Sequence, residues 1–156
     1  MARRQPGPAD LSAWVERLVA LLVPEGVPPI SARVLGWLIV CEPAEQSADQ
    51  IGPAIGASRA SMTTNLRLLT AMGMVTRRTR PGERTAYYHV ADDAWRTIIQ
   101  RQVDAVTAYV DLARSGLDLL GADTARAGRT RDLHDVFTWM ARVFADAPPL
   151  PPRAKD

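Results

Sequence analysis

The stretch SADQIGPAIGASRASMTTNLRLLTAMGMVTRRTRPGERTAYYHV, residues 47–90, decides how this chain folds. It opens on Ser47-Ala48-Asp49-Gln50, a capping box in which the serine hydroxyl and the glutamine side chain satisfy amide donors at a helix start. The helix runs through Ile51 and Ile55, tolerates Pro53 because it lies close to the first turn, and ends at Gly56-Ala57. Ser58 caps a second helix, where Met62, Leu66, Leu69 and Gly73 fall on one side at helical spacing. Residues 74–79 and 85–90 are strand-like, rich in β-branched and aromatic types. Between them Pro81-Gly82 suits the central positions of a type II turn, because proline fixes the first torsion and glycine accepts the positive one. The pattern predicts helix, turn, helix, and then a two-stranded ribbon with Arg80 and Arg84 at its tip.

The second helix turns Ala60, Thr63, Thr64, Arg67 and Ala71 away from its apolar side. Ordinary surface helices carry Glu and Lys for solubility and local ion pairs, whereas this side offers small residues, hydroxyls and one arginine, with no acid. Small side chains allow close groove entry, hydroxyls bond phosphates or base edges, and Arg67 can present two donors to guanine. Ser58 and Arg59 lie at the positive helix end, where phosphates are favoured. Charge points the same way. Between Ser58 and Arg84, six arginines (Arg59, Arg67, Arg77, Arg78, Arg80 and Arg84) face Glu83 alone, so this segment carries +5 and the remainder −3 of a net charge of +2. Positive charge concentrated on one module is what phosphate binding requires. The candidate DNA-contacting set is Ser47, Ser58, Arg59, Ala60, Ser61, Thr63, Thr64, Arg67, Arg77, Arg78, Arg80, Gly82 and Arg84. The plainer alternative is a threonine-rich solvent helix beside a solvated hairpin.

Around this module, residues 1–9, with Pro6, Gly7 and Pro8, are expected to form a flexible arm. Residues 10–29 form an N-terminal dimerisation helix and linker. Asp10 or Ser12 caps that helix, Leu11, Trp14, Val15, Leu18, Leu21 and Leu22 make its apolar stripe, and Pro24 begins the breaker cluster. Residues 30–91 are the winged helix-turn-helix, led by a helix starting near Ser31 whose Val34, Leu35, Leu38 and Ile39 face inward. Residues 92–146 hold a long helix and a last helix from about Arg131 to Ala145, with residues 122–130 as a loop or frayed start. In the long helix Ile99, Val103, Val106, Val110, Ala113, Leu117 and Leu120 recur at steps of four and three, the spacing of a coiled-coil seam. At about 1.5 Å per residue it outruns the small module, so its stripe needs a partner. The expected homodimer interface is Leu18, Ile99, Val103, Val106, Val110, Leu117, Leu120, Phe137 and Met140. Residues 147–156 form a disordered Pro-rich tail. The fold class is mainly α with a small β-hairpin wing: a winged helix-turn-helix plus terminal dimerisation helices.

Several classes of function are disfavoured by composition. No apolar run approaches the roughly 20 residues needed to cross a bilayer, and residues 1–6 lead into polar sequence, so a cytoplasmic protein with no membrane partner is expected. Cys41 is the only cysteine, which rules out an internal disulfide and a thiolate zinc cluster. There is no Gly-rich phosphate loop, no His-Glu-x-x-His and no Gly-x-Ser-x-Gly, and the only lysine, Lys155, lies in the tail. No enzyme, catalytic residue or cofactor is therefore expected. His89 and His134 lie on different elements without matching ligand spacing, so no metal is expected either.

Ala32-Arg33-Val34-Leu35-Gly36-Trp37-Leu38, Ile55-Gly56-Ala57-Ser58-Arg59-Ala60-Ser61 and Arg80-Pro81-Gly82-Glu83-Arg84 leading into Tyr87-Tyr88 resemble the MarR-type winged-helix transcriptional regulators. The branch related to the GbsR glycine-betaine regulators is the nearer resemblance. It covers roughly residues 30–95. It implies a homodimer with interwoven terminal helices, recognition helices in successive major grooves with wings beside them, and a small-molecule effector that alters operator affinity. The expected function is a sequence-specific, ligand-responsive repressor binding double-stranded DNA at a palindromic operator. A winged-helix subunit for protein–protein contact, without specific DNA binding, is the alternative. Trp14, Trp37, Trp95 and Tyr109 are candidate effector-binding aromatics, although core packing is the commoner role for such residues. A redox role for Cys41, which the resemblance would allow, lacks the basic neighbours that lower a thiol pKa, so an inert cysteine is the adopted reading.

Overall fold

Proline at the first helical position lacks only an N–H that would be unpaired anyway, and it starts two helices here. In the computed structural model, which describes residues 6–121 and 124–151, these are α1 (Pro8–Leu22) and α2 (Pro29–Val40). Both begin two residues ahead of the sequence expectation. Pro8 and Ala9 are helical, not part of a loose arm, and Asp10 accepts from the Gly7 N–H at 2.9 Å instead of acting as the N-cap. Residues 1–5 of the expected arm lie outside the described residues.

The chain then runs β1 (Gln46–Ser47), α3 (Ala48–Ile55), α4 (Arg59–Ala71), β2 (Val75–Thr79), β3 (Ala86–Val90), α5 (Ala94–Leu120) and α6 (Ala127–Ala145). The Ser47 cap is present, with Gln50 Oε1 accepting from the Ser47 N–H at 2.8 Å. Gly56 closes α3 in the left-handed region at φ +68°, which glycine adopts without the Cβ clash other residues meet. That turn sets α4 across α2 and α3, where Val34, Leu35, Leu38, Ile51, Met62, Leu66 and Leu69 form the buried core. Ile39, expected to face inward, is 36% exposed.

The wing is one strand richer than expected. β1 pairs antiparallel with β3 through Gln46↔Tyr88 and Ser47↔Tyr87, giving a three-stranded sheet in the order β1-β3-β2. A two-residue strand is too short to show alternation in sequence. At the ribbon tip the Glu83 N–H donates to the Arg80 carbonyl at 3.0 Å and Gly82 has φ +79°, as a type II turn requires.

Two compact units divide the chain, Met1–Ala94 and Trp95–Asp156. In the first, α1 packs on α2 around Val15, Val19 and Ala32, fastened by Arg33 donating to both oxygens of Glu16 at 2.6 and 3.1 Å. The second holds most of α5 and all of α6, linked by a Tyr109–Phe137 ring stack with centroids 4.4 Å apart. α6 begins at Ala127, four residues before the sequence suggested, and the Thr124 hydroxyl accepts from the Ala127 N–H at 3.3 Å just ahead of it. No described helix is long and apolar enough to cross a membrane. Residues 146–151 follow α6 without helix or strand, and 152–156 lie outside the described residues.

Candidate nucleic-acid interface

Met62, Leu66 and Leu69 are at most 2% exposed, which fixes the rotation of α4 about its axis. The opposite side is therefore set, and Ala60, Thr63, Thr64, Arg67 and Ala71 are all exposed along it. Ser58 caps the helix by accepting from the Ser61 N–H at 3.3 Å. Thr63 and Thr64 donate to the carbonyls of Arg59 and Ala60, four residues back, so each hydroxyl keeps its acceptor face outward. α4 contains no acidic residue.

Alternation along the ribbon places basic groups on both of its faces. Arg77 is paired in register with Tyr88, and these two side chains, with Thr63, Leu66, Arg67, Thr70 and Ala71 of α4, line a groove of about 470 Å³. α4 and the ribbon thus meet in one groove with an arginine from each. Arg78 pairs with Tyr87 on the other face, where the Arg80 guanidinium lies 3.9 Å above the Tyr87 ring centre. Tyr87 in turn donates its hydroxyl to Glu83 at 2.9 Å, a bond that raises the phenol pKa.

The arginines fall into two groups. Arg67, Arg77, Arg78 and Arg84 are exposed and pair with no carboxylate among the described residues. Arg59 donates to both oxygens of Asp49 at 2.9 and 3.0 Å, and Arg80 donates to Glu45 at 3.2 Å. Hydrogen bonding to Glu45 raises the Arg80 pKa further, so its charge is permanent. Glu45 and Asp49 are absent from the sequence-derived set. Asp49 sits across the helix-turn-helix from Arg59, and Glu45 reaches the wing only because β1 joins the sheet.

Other expected positions are placed differently. Ser47 is 7% exposed, held by the β1 pairing and the α3 cap, so its place in the fold accounts for it. Ser61 is half-buried, its hydroxyl accepting from Asn65, whose side-chain oxygen accepts from Ser31. Of the expected dimer residues, Val106 and Val110 are only 5% and 9% exposed within one chain. Phe137 is engaged with Tyr109, and Leu18 lies over Gly36 of α2. Val103, Leu117, Leu120 and Met140 are half-buried, and Ile99 is 44% exposed. Among the expected effector aromatics, Trp37 donates to Gln46 at 2.8 Å and borders cavities of about 210 and 360 Å³ in the first unit. Trp14 and Trp95 are 40% and 48% exposed.

Comparison with known proteins decides the family. The chain is 31% identical over 139 residues to the HTH-type transcriptional regulator MmpR5 of Mycobacterium tuberculosis, covering 88% of this chain and 84% of the relative. It belongs to the MmpR5-like MarR family of transcriptional regulators. The family profile, described as "MmpR5-like MarR family transcriptional regulator", matches residues 93–147. Those residues carry α5 and α6, whereas the sequence resemblance was read from residues 30–95, so the two observations rest on nearly complementary parts of the chain. A solved structure described as "Crystal Structure of a transcriptional regulator" superposes with a TM-score of 0.68 at 30% identity, covering 88% of this chain and 94% of that one. Membership of this MarR family makes the chain a DNA-binding regulator of transcription. The GbsR-related placement remains a sequence expectation.

Cys41 is not among the residues of this arginine-rich surface. It is 5% exposed, its thiol is 3.3 Å from the Pro43 carbonyl, and burial pushes its pKa up. Since the thiolate is the reactive form, the folded protein at mildly alkaline pH is expected to alkylate at least about tenfold more slowly than the urea-unfolded chain. Mass-spectrometric iodoacetamide labelling checks this, and equal rates in the two states would contradict it.

Proposed function

We propose that this MarR-family protein acts as a homodimeric repressor that reads a palindromic operator with α4 and grips the flanking backbone with its wing. One observation carries the reading. The exposed side of α4 has no acid, and four arginines without carboxylate partners, Arg67, Arg77, Arg78 and Arg84, lie along it and the adjoining ribbon. Arg67, at the centre of the helix, is suited to a guanine edge, and the wing arginines to phosphates or a narrow minor groove. Repression by occupying DNA that polymerase needs is the simplest consequence. An effector would act through unequal affinity for two arrangements of the paired α4 helices.

The second copy is expected at the large apolar side chains left bare on the second unit. Leu112 and Leu119 are 63% and 85% exposed, seven residues apart on one side of α5, and Val136, Trp139 and Val143 of α6 are 49%, 63% and 49% exposed. Apolar exposure of this extent marks an association surface. A two-fold dimer spaces its half-sites by about one helical turn, roughly 34 Å.

Operator selection from a random duplex pool, followed by gel shifts across a salt series, tests the reading. The selected sites should be palindromic. Arg67→Ala should cost about 1–3 kcal/mol on the selected site and relax base preference, whereas Arg84→Ala should weaken all duplexes alike and reduce the salt slope by about 0.9. Equal losses for both variants on random DNA would refute this division of labour. Leu112→Glu with Leu119→Glu should give a folded monomer by light scattering, because both side chains are exposed. A double variant that stays dimeric would reject this surface.

A further inference from the structure

The sheet register that adds β1 to the wing also delivers an acid to it. Gln46 pairs with Tyr88 and Ser47 with Tyr87, so one step back along the register sets Glu45 opposite His89. There its Oε1 lies 3.7 Å from His89 Nδ1, and its Oε2 accepts from Arg80 at 3.2 Å. Glu45 is 28% exposed, and Arg80 is held between this carboxylate and the Tyr87 ring. A second pair repeats the arrangement at the start of α4, where Arg59 is bound by both oxygens of Asp49. Neither pair is needed to close the core, since both arginines are at least half exposed.

We propose that Glu45 and Asp49 are built-in stand-ins for DNA phosphates: they occupy Arg80 and Arg59 in the free protein and must be displaced when DNA binds, which holds the affinity down. The inference rests on the reading that the wing and the start of α4 touch the duplex. An arginine that comes to DNA from water releases condensed cations and contributes to the salt dependence of binding. An arginine that leaves a carboxylate exposes an anion, which attracts cations back as the DNA loses them. Paired arginines therefore add less to the salt slope and to the affinity than unpaired ones, and Arg67, Arg77, Arg78 and Arg84 supply most of both. Such restraint limits adhesion to random DNA and keeps the regulator releasable.

A double-mutant cycle in the full-length protein tests this, using Glu45→Gln, Arg80→Ala and both together on a random-sequence duplex over a salt series. Glu45→Gln should tighten binding about two- to fivefold, the range of one exposed ion pair, and steepen the log-log salt slope by up to about 0.9. Both gains should shrink at least about twofold in the Arg80→Ala background, where only the repulsion between Glu45 and the phosphates is left to relieve. Asp49→Asn with Arg59→Ala should behave in the same way, and thermal melts should show all variants folded. A gain equally large without Arg80 would be a general charge effect and would overturn the proposal. So would Glu45→Gln binding with unchanged affinity and slope while Arg80→Ala weakens binding, a result that leaves the wing contact itself standing. Wild-type binding by Arg80→Ala would overturn both this proposal and the assignment of Arg80 to the DNA surface.

Discussion

Burial of Met62, Leu66 and Leu69 is the constraint on which the proposed DNA surface depends. Each fully buried Leu or Met contributes about 1.5–3 kcal/mol, so turning α4 half round its axis would forfeit several kcal/mol and expose three apolar side chains. No such penalty acts on the other side of the helix. The core therefore presents Ala60, Thr63, Thr64 and Arg67 to solvent without being stabilised by them, which leaves that side open to be shaped by a partner. The left-handed Gly56 and the Ser58 cap complete the placement by setting where α4 starts.

The wing extends that surface electrostatically. Its sheet brings Arg77 into the groove beside Arg67, and puts Arg78 and Arg80 on the opposite face. A composition count treats six arginines as equivalent, but the folded chain does not. Two are already satisfied by carboxylates, and four face solvent unpaired among the described residues. Charge available to DNA is thus smaller than charge present.

Local signals made much of this legible in sequence. The serine caps, the apolar spacing of α4 and the Pro-Gly turn are set by neighbours a few residues apart, and all three are found in the structure. What went unread is non-local or too short. β1 is two residues long, and with it came both the burial of Ser47 and the reach of Glu45 to Arg80 across 35 positions. The α5 seam shows a different limit: periodicity identified an apolar stripe but not which chain covers it. Val106 and Val110 turn out to be buried within one chain, while Leu112 and Leu119, off that seam, stay bare.

Titration of isotope-labelled protein with a duplex, followed by backbone amide NMR, tests most directly whether the acid-free side of α4 and the wing form the DNA surface. Shifts concentrated at residues 58–71 and 77–84, with α1 and the end of α6 unmoved, are the expected result. Shifts centred on α1 or α6, with residues 58–71 unchanged at saturating DNA, would contradict the account.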